Sequence, residues 1–199
     1  MLEDVLSSKA ERSLSFEIPV TATDPTTVNR IASISGSSSM CALASAVIPK
    51  PVKLNSTFRH IVAFSDVSNE GDLGTLSRTA SALGYDHIVY LENCADMFSV
   101  KSVRASQGAL WKIPYSASST SQLVEFARVN KLRLCQIGSI PNPGSLTLFD
   151  MGAARGAVVL VSPIPKKNFG KLDFDFAHAP MSIRGSCFIY AMLETLRKT

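Results

Sequence analysis

Residues Ile61–Gly84 read IVAFSDVSNEGDLGTLSRTASALG, and this stretch decides the fold class. Ile61, Val62, Ala63 and Phe64 are apolar without a break, as a strand buried on both faces requires. The period then lengthens. Over residues 74–83, Leu76, Ala80 and Leu83 recur at helical spacing and mark one apolar face. Gly84 stops the predicted helix. A buried strand running directly into an amphipathic helix is the repeating unit of a parallel α/β sheet.

Outward from this unit the alternation continues. A strand is predicted at residues 87–91, a helix at 100–110 and a short strand at 111–114. Residues 120–131 form the clearest helix, with Leu123, Phe126 and Ala127 as its stripe and Thr120 or Ser121 as its cap. Strands follow at 132–137 and 157–161, the second aliphatic throughout and so placed centrally. Residues 140–144 read as a turn, 163–170 as a loop and 186–198 as a closing amphipathic helix. The predicted class is α/β, with a mostly parallel sheet and flanking helices.

The first fifty residues are patterned differently. Ser, Thr, Ala and Pro dominate from Ser35 to Pro51, and Pro49-Lys50-Pro51 is extended and poor in backbone donors. It reads as a linker, with residues 1–51 as one module and 52–199 as the next. The 199 residues are 46% hydrophobic, enough for a sizeable core, and the formal charge of +4 is compatible with a nucleic-acid partner without requiring one. Cys41, Cys94, Cys135 and Cys187 are far apart, which excludes a CxxC metal or redox pair and fits reduced thiols. His60, His87 and His178 are scattered, so no metal site is expected. No apolar run reaches membrane length, and acids directly after Met1 argue against a targeting peptide starting there.

Two blocks carry a resemblance. Residues 72–80 are similar to N-x-G-x-x-x-R-T-A, and residues 104–109 read R-A-S-Q-G-A. Together, at this separation, they resemble the SpoU/TrmH family of RNA 2′-O-ribose methyltransferases, of the SPOUT superfamily. Residues 142–160 resemble the approach to that family's second motif. Ala179-Pro180-Met181 with Ser186 resembles its third motif, and residues 20–51 loosely resemble the latter half of an L30e-like RNA-binding module. The resemblance implies a C-terminal deep trefoil knot, an S-adenosylmethionine pocket built from the knot's loops, a homodimer and an RNA substrate. A heterodimer with a paralogous chain is the other assembly it allows.

Methylating a ribose hydroxyl requires a methyl donor held in line, a relieved proton and anchored phosphates. By resemblance, Arg78 contacts RNA and helps activate the hydroxyl, with Asp72 and Ser186 as the other catalytic positions. Arg104, Lys166 and Lys167 are candidate RNA contacts, the lysines being equally readable as a solvated loop. Val161, Ala179, Met181 and Cys187 fall on cofactor-binding positions.

Several of these depart from the pattern. The family Asn is Asp72, which donates no hydrogen bond when ionised. The second motif's Gly and Glu become Val161 and Pro163, and the third motif's Leu and Asn become Cys187 and Phe188. All fall in one pocket. The expected function is therefore a ribosomal-RNA-binding homologue with a degenerate catalytic site, acting in ribosome assembly. The alternative is an active S-adenosylmethionine-dependent rRNA or tRNA 2′-O-methyltransferase, alone or completed by a partner subunit; an α/β domain for an unrelated ligand is a third reading. The mitochondrial matrix is favoured over the cytoplasm because family members serve organellar ribosomal RNA.

Overall fold

The computed structural model describes residues 2–7, 20–31, 42–137, 156–162 and 170–172, together with Ser186 and Ile189. The chain divides into two compact units, Met1–Pro49 and Lys50–Thr199.

The first unit holds β1 (Leu2–Ser7), β2 (Val20–Ala22), α1 (Pro25–Ile31) and β3 (Ala42–Ala46). The strand order is β2-β1-β3, with β1 parallel to β2 and antiparallel to β3. Helix α1 begins where Asp24 accepts the Thr27 N–H at 2.9 Å, with Pro25 at the first helical position. The hydroxyls of Thr26 and Thr27 also donate to Asp24 and hold its carboxyl well below the usual range. Strand β3 lies inside the stretch that composition marks as linker-like. Its Ala and Ser residues become a strand because β1 supplies the ladder, a distant partner that composition does not reveal.

In the second unit the strands are β4 (His60–Phe64), β5 (His87–Tyr90), β6 (Tyr115–Ala117), β7 (Arg133–Ile137), β8 (Ala157–Val161) and β9 (Gly170–Leu172). Their order is β6-β5-β4-β8-β7-β9, and every recorded pairing is parallel. Helices α2 (Glu70–Ala82), α3 (Val100–Ser106) and α4 (Thr120–Val129) and a 3-10 turn at Ala109–Trp111 complete it.

The period-2 alternation of side chains divides the core between the sheet's two faces. Val62 and Phe64 of β4, Ile88 and Tyr90 of β5, and Val159 and Val161 of β8 pack with Leu73, Leu76 and Ala80 of α2. Ile61, Ala63, Val89, Val158 and Leu160 face the other way and pack with Leu123 and Ala127 of α4. Because both faces are covered, β4 and β8 have no polar face, which explains their unbroken apolar runs.

Several predicted boundaries move. Helix α2 starts at Glu70 rather than residue 74, because the Asn69 side chain caps it by accepting the Asp72 N–H at 3.1 Å. Helix α3 ends at Ser106 rather than running to 110, because Gln107 and Gly108 take left-handed φ values of 49° and 82°. The strand predicted at 111–114 lies at Tyr115–Ala117; Trp111 closes the 3-10 turn by donating to Gly108. Ser119, not Thr120 or Ser121, caps α4, and the helix ends at Val129. Gly170, placed sequence-wise in a loop, opens β9 against Cys135. The predicted turn at 140–144, the loop residues 163–169 and the knotted segment lie outside the described residues. Of the closing helix, Ser186 and Ile189 are described, and both are helical.

Candidate functional site

Two places in the second unit gather polar residues. One is the pair of helices carrying the two motif blocks. The other is the end of the sheet where β4, β5 and β8 deliver their carboxyl termini.

Helices α2 and α3 meet at Gly74. A Cβ there would sit 2.2 Å from the Ser102 carbonyl oxygen and 2.8 Å from the Ala105 Cβ, so the contact admits only hydrogen at that position. Ser102 fixes the pair from the other side, donating its hydroxyl to the Glu70 and Asp96 carbonyls at 2.9 and 3.0 Å. The small residues of both motif blocks thus serve a close helix contact, and the two arginines ride on it. Arg78 is partly exposed on α2, and Arg104 is exposed in the last turn of α3. Among the described residues neither forms an ion pair, the pairs there being His60–Asp86, Lys101–Glu70 and Arg128–Glu125.

Thr79, next to Arg78, lies 2.9 Å from Ser186 through their hydroxyls. Tyr85 donates its phenol to the Ile189 carbonyl at 2.9 Å. The third-motif serine is therefore brought against the first-motif helix at Thr79. Asp72 lies six residues before Arg78, about 9 Å along the axis and roughly 120° around it, so the two share no face. In the first turn of α2 its carboxylate complements the helix dipole, a structural use for the Asp that stands where the resemblance expects Asn.

At the sheet's carboxyl end, Asp66 follows β4 with φ 57°. It accepts from the Ser65 hydroxyl at 2.7 Å, the Asn93 amide at 2.9 Å and, more weakly, the Ser162 hydroxyl at 3.4 Å. These residues follow β4, β5 and β8. Because the chain goes from β4 to one side and returns to the other, the β4–β8 boundary is the switch point at which open α/β sheets form ligand crevices. Glu92 accepts from the Thr120 N–H at 2.8 Å and hydroxyl at 2.7 Å, tying the end of β5 to the start of α4. The sequence reading did not single out Asp66, Asn93 or Asn69. A polar Ser-Asp pair directly after a buried strand is the signal that marks such a crevice.

Val161 is 0% exposed and belongs to the core cluster that includes Phe64 and Ile189. Its side chain fills the end of β8 where the resemblance expects a glycine. The cysteines near this end are not poised as nucleophiles. Burial raises the Cys94 thiol, and burial pushes Cys135 up to about 12. Among the described residues no cluster of His, Cys, Asp and Glu could hold a metal ion. No described helix is long and apolar enough to cross a membrane. Ala179, Met181, Cys187, Lys166, Lys167, Pro163 and Phe188 lie outside the described residues.

The fold matches solved structures over nearly the whole chain. A SpoU methyltransferase, AviRb, from Streptomyces viridochromogenes superposes with a TM-score of 0.76 at 16% identity, covering 100% of this chain and 83% of that one. An rRNA methyltransferase from Sinorhizobium meliloti gives 0.75 at 17% identity over 98% of this chain and 80% of its own. The chain has the SpoU/TrmH methyltransferase fold. Sequence comparison points the same way. A 23S rRNA guanosine 2′-O-methyltransferase of Bacillus subtilis is 38% identical over 69 residues, 35% of this chain and 28% of the relative. A mitochondrial rRNA methyltransferase of Danio rerio is 32% identical over 66 residues, 33% of this chain and 15% of the relative. The matched segments therefore span under a third of these two curated relatives. No protein-family model matches the chain. Its relatives by sequence and by fold are SpoU/TrmH-type RNA 2′-O-methyltransferases, and it is a divergent relative of them. Structures of this fold with S-adenosylmethionine bound are among its neighbours, including AviRb at a TM-score of 0.70 and 16% identity over 99% of this chain and 84% of that one.

Proposed function

We propose that the chain is an RNA-binding protein of the SpoU/TrmH type whose methyl-transfer chemistry is reduced or lost, and that ribosomal RNA during ribosome assembly is its target. What supports this is a contrast within one unit. The helix pair that carries Arg78 and Arg104 is tightly built and leaves both cations available to phosphates. At the other end of the site, Val161 fills the strand end with a buried side chain. The residues described there do not fit S-adenosylmethionine well. A cofactor needs close backbone approach at a glycine, and the neighbouring Ser162 hydroxyl is turned to Asp66.

Residues 1–51 are proposed as a partial RNA-binding module that contributes to target choice. A self-dimer, or a dimer with an intact paralogue, is proposed as the working assembly, and a mitochondrial setting is favoured by the Danio rerio relative.

The test is calorimetric titration with S-adenosylmethionine, run beside RNA-binding measurements on the same preparation. The expected result is no cofactor binding up to millimolar concentration, with salt-sensitive RNA binding that Arg78→Ala weakens. Transfer of a methyl group to a ribose 2′-hydroxyl, abolished by Arg78→Ala, would overturn it. That outcome would establish the second reading, an active methyltransferase. The S-adenosylmethionine-bound neighbours and the Thr79–Ser186 contact, which joins the first and third motif blocks, favour that reading.

A further inference from the structure

The last turn of α2 and the junction between α3 and the 3-10 turn enclose a small open cleft of about 230 Å³. Arg78 and Ser81 line one wall, and Ser106, Gln107 and Lys112 the other. Its size excludes some occupants. Sites that enclose a cofactor or drug-sized ligand typically run from roughly 300 to 1,000 Å³, and this cleft is smaller and open to solvent. Ala82 and Ala109 complete the lining, so two cations and three neutral polar side chains sit beside apolar surface, and no carboxylate is among the lining residues.

The ordinary explanation of two cations here is the helix dipole. Helices α2 and α3 both end at this place, and each carboxyl terminus carries roughly half a negative charge. Two such ends offset about one positive charge. Arg78 and Lys112 bring two, and neither forms an ion pair among the described residues. A net charge of about +1 is left facing the cleft, beside the arginine proposed to contact RNA.

The geometry points to this cleft as a phosphate-binding subsite for the RNA backbone, with Lys112 as its second cation and Ser81 and Gln107 as neutral hydrogen-bond donors. The subsite carries no sequence information. It fixes the path of the strand past Arg78, so the backbone leaves the site along the α2–α3 junction. This inference rests on the RNA-binding reading and adds residues to it. Lys112 was not among the sequence-derived candidates, because it sits after the second motif block rather than in it.

The experiment is fluorescence-anisotropy titration of a short labelled single-stranded RNA across a salt series. The full chain is compared with Lys112→Ala, Lys112→Arg, Arg78→Ala and Lys131→Asn. Lys131 is an exposed cation after α4, the helix on the other face of the sheet, and its φ of 55° suits Asn. Lys112→Ala is expected to weaken binding several-fold and to lower the slope of log K against log salt by about 0.7, the value for one released counterion on a single strand. Lys112→Arg should restore both, and Lys131→Asn should change neither. Urea midpoints read alongside distinguish a structural role, which would move stability and leave the salt slope untouched. Wild-type affinity and slope in Lys112→Ala, with Arg78→Ala still impaired, would reject the subsite and leave RNA binding standing. An equal loss in Lys131→Asn would also reject it, as a general charge effect. Absence of RNA binding by the wild-type chain even at low salt would instead overturn the RNA reading itself, and the subsite with it.

Discussion

Gly74 and His87 show how single positions in this unit are committed. At Gly74, a methyl group would overlap the Ser102 carbonyl at 2.2 Å, and α2 cannot retreat without disturbing the sheet it covers. Gly74→Ala is expected to lower stability by about 1–3 kcal/mol, as overpacking generally does, and to reduce RNA affinity as the two arginines shift. Urea unfolding with the anisotropy assay checks both. His87 is 0% exposed, stacked 4.6 Å from the Phe58 ring, with Nε2 at 2.9 Å from the Ser116 hydroxyl. Burial lowers its pKa from 6.5 to about 4, with Asp86 opposing weakly. The folded state therefore binds fewer protons than the unfolded state between these values. The stability associated with neutral His87 is complete above about pH 6.5 and falls as pH drops toward 4, by on the order of 2–3 kcal/mol in all. Unfolding free energies measured at about pH 7 and pH 5 should differ more for wild type than for His87→Gln. Equal differences in the two proteins would mean that His87 is not the titrating group.

At the scale of elements, the helices depend on caps that are short sequence signals. Ser119 and Gln122 form a reciprocal box, with Ser119 Oγ accepting the Gln122 N–H at 3.2 Å and Gln122 Oε1 accepting the Ser119 N–H at 3.1 Å. Ser119→Ala should cost about 1 kcal/mol, read as a lower urea midpoint with an unchanged slope. The S-x-x-Q pattern was visible at residues 119–122, yet neighbouring Thr120 and Ser121 are equally good caps by type, and only the structure chooses. The long apolar strands were legible for a plain reason. β4, β5 and β8 are covered on both sides, so burial alone dictates their composition. β3, β6 and β9 were not, since ALASA, YSA and GKL carry neither an unbroken apolar run nor a clear period. Among the candidate site residues, Arg78 and Ser186 stand out through the motif blocks. Asp66 was missed because its role comes from three strand ends meeting, which is a property of topology.

For the whole molecule, the two-unit division sets where the chain should yield to a protease. Val47 and Ile48 are 47% and 55% exposed, just before the boundary at Pro49. Elastase is expected to cut there first and to leave the second unit folded. A first cut within residues 60–137 would contradict this. The strand order also has a consequence in time. β4 is the first strand of its sheet to be made, yet it lies in the middle, and its second neighbour is β8, with residue 60 pairing to residue 157. A ribosome adding about 5–20 residues per second needs roughly 5–20 s to span that interval. Throughout it, the nascent chain holds a strand that is apolar from Ile61 to Phe64 and has an open edge. Yield of soluble protein should therefore depend on what shields that edge during synthesis, more than on the stability of the finished sheet.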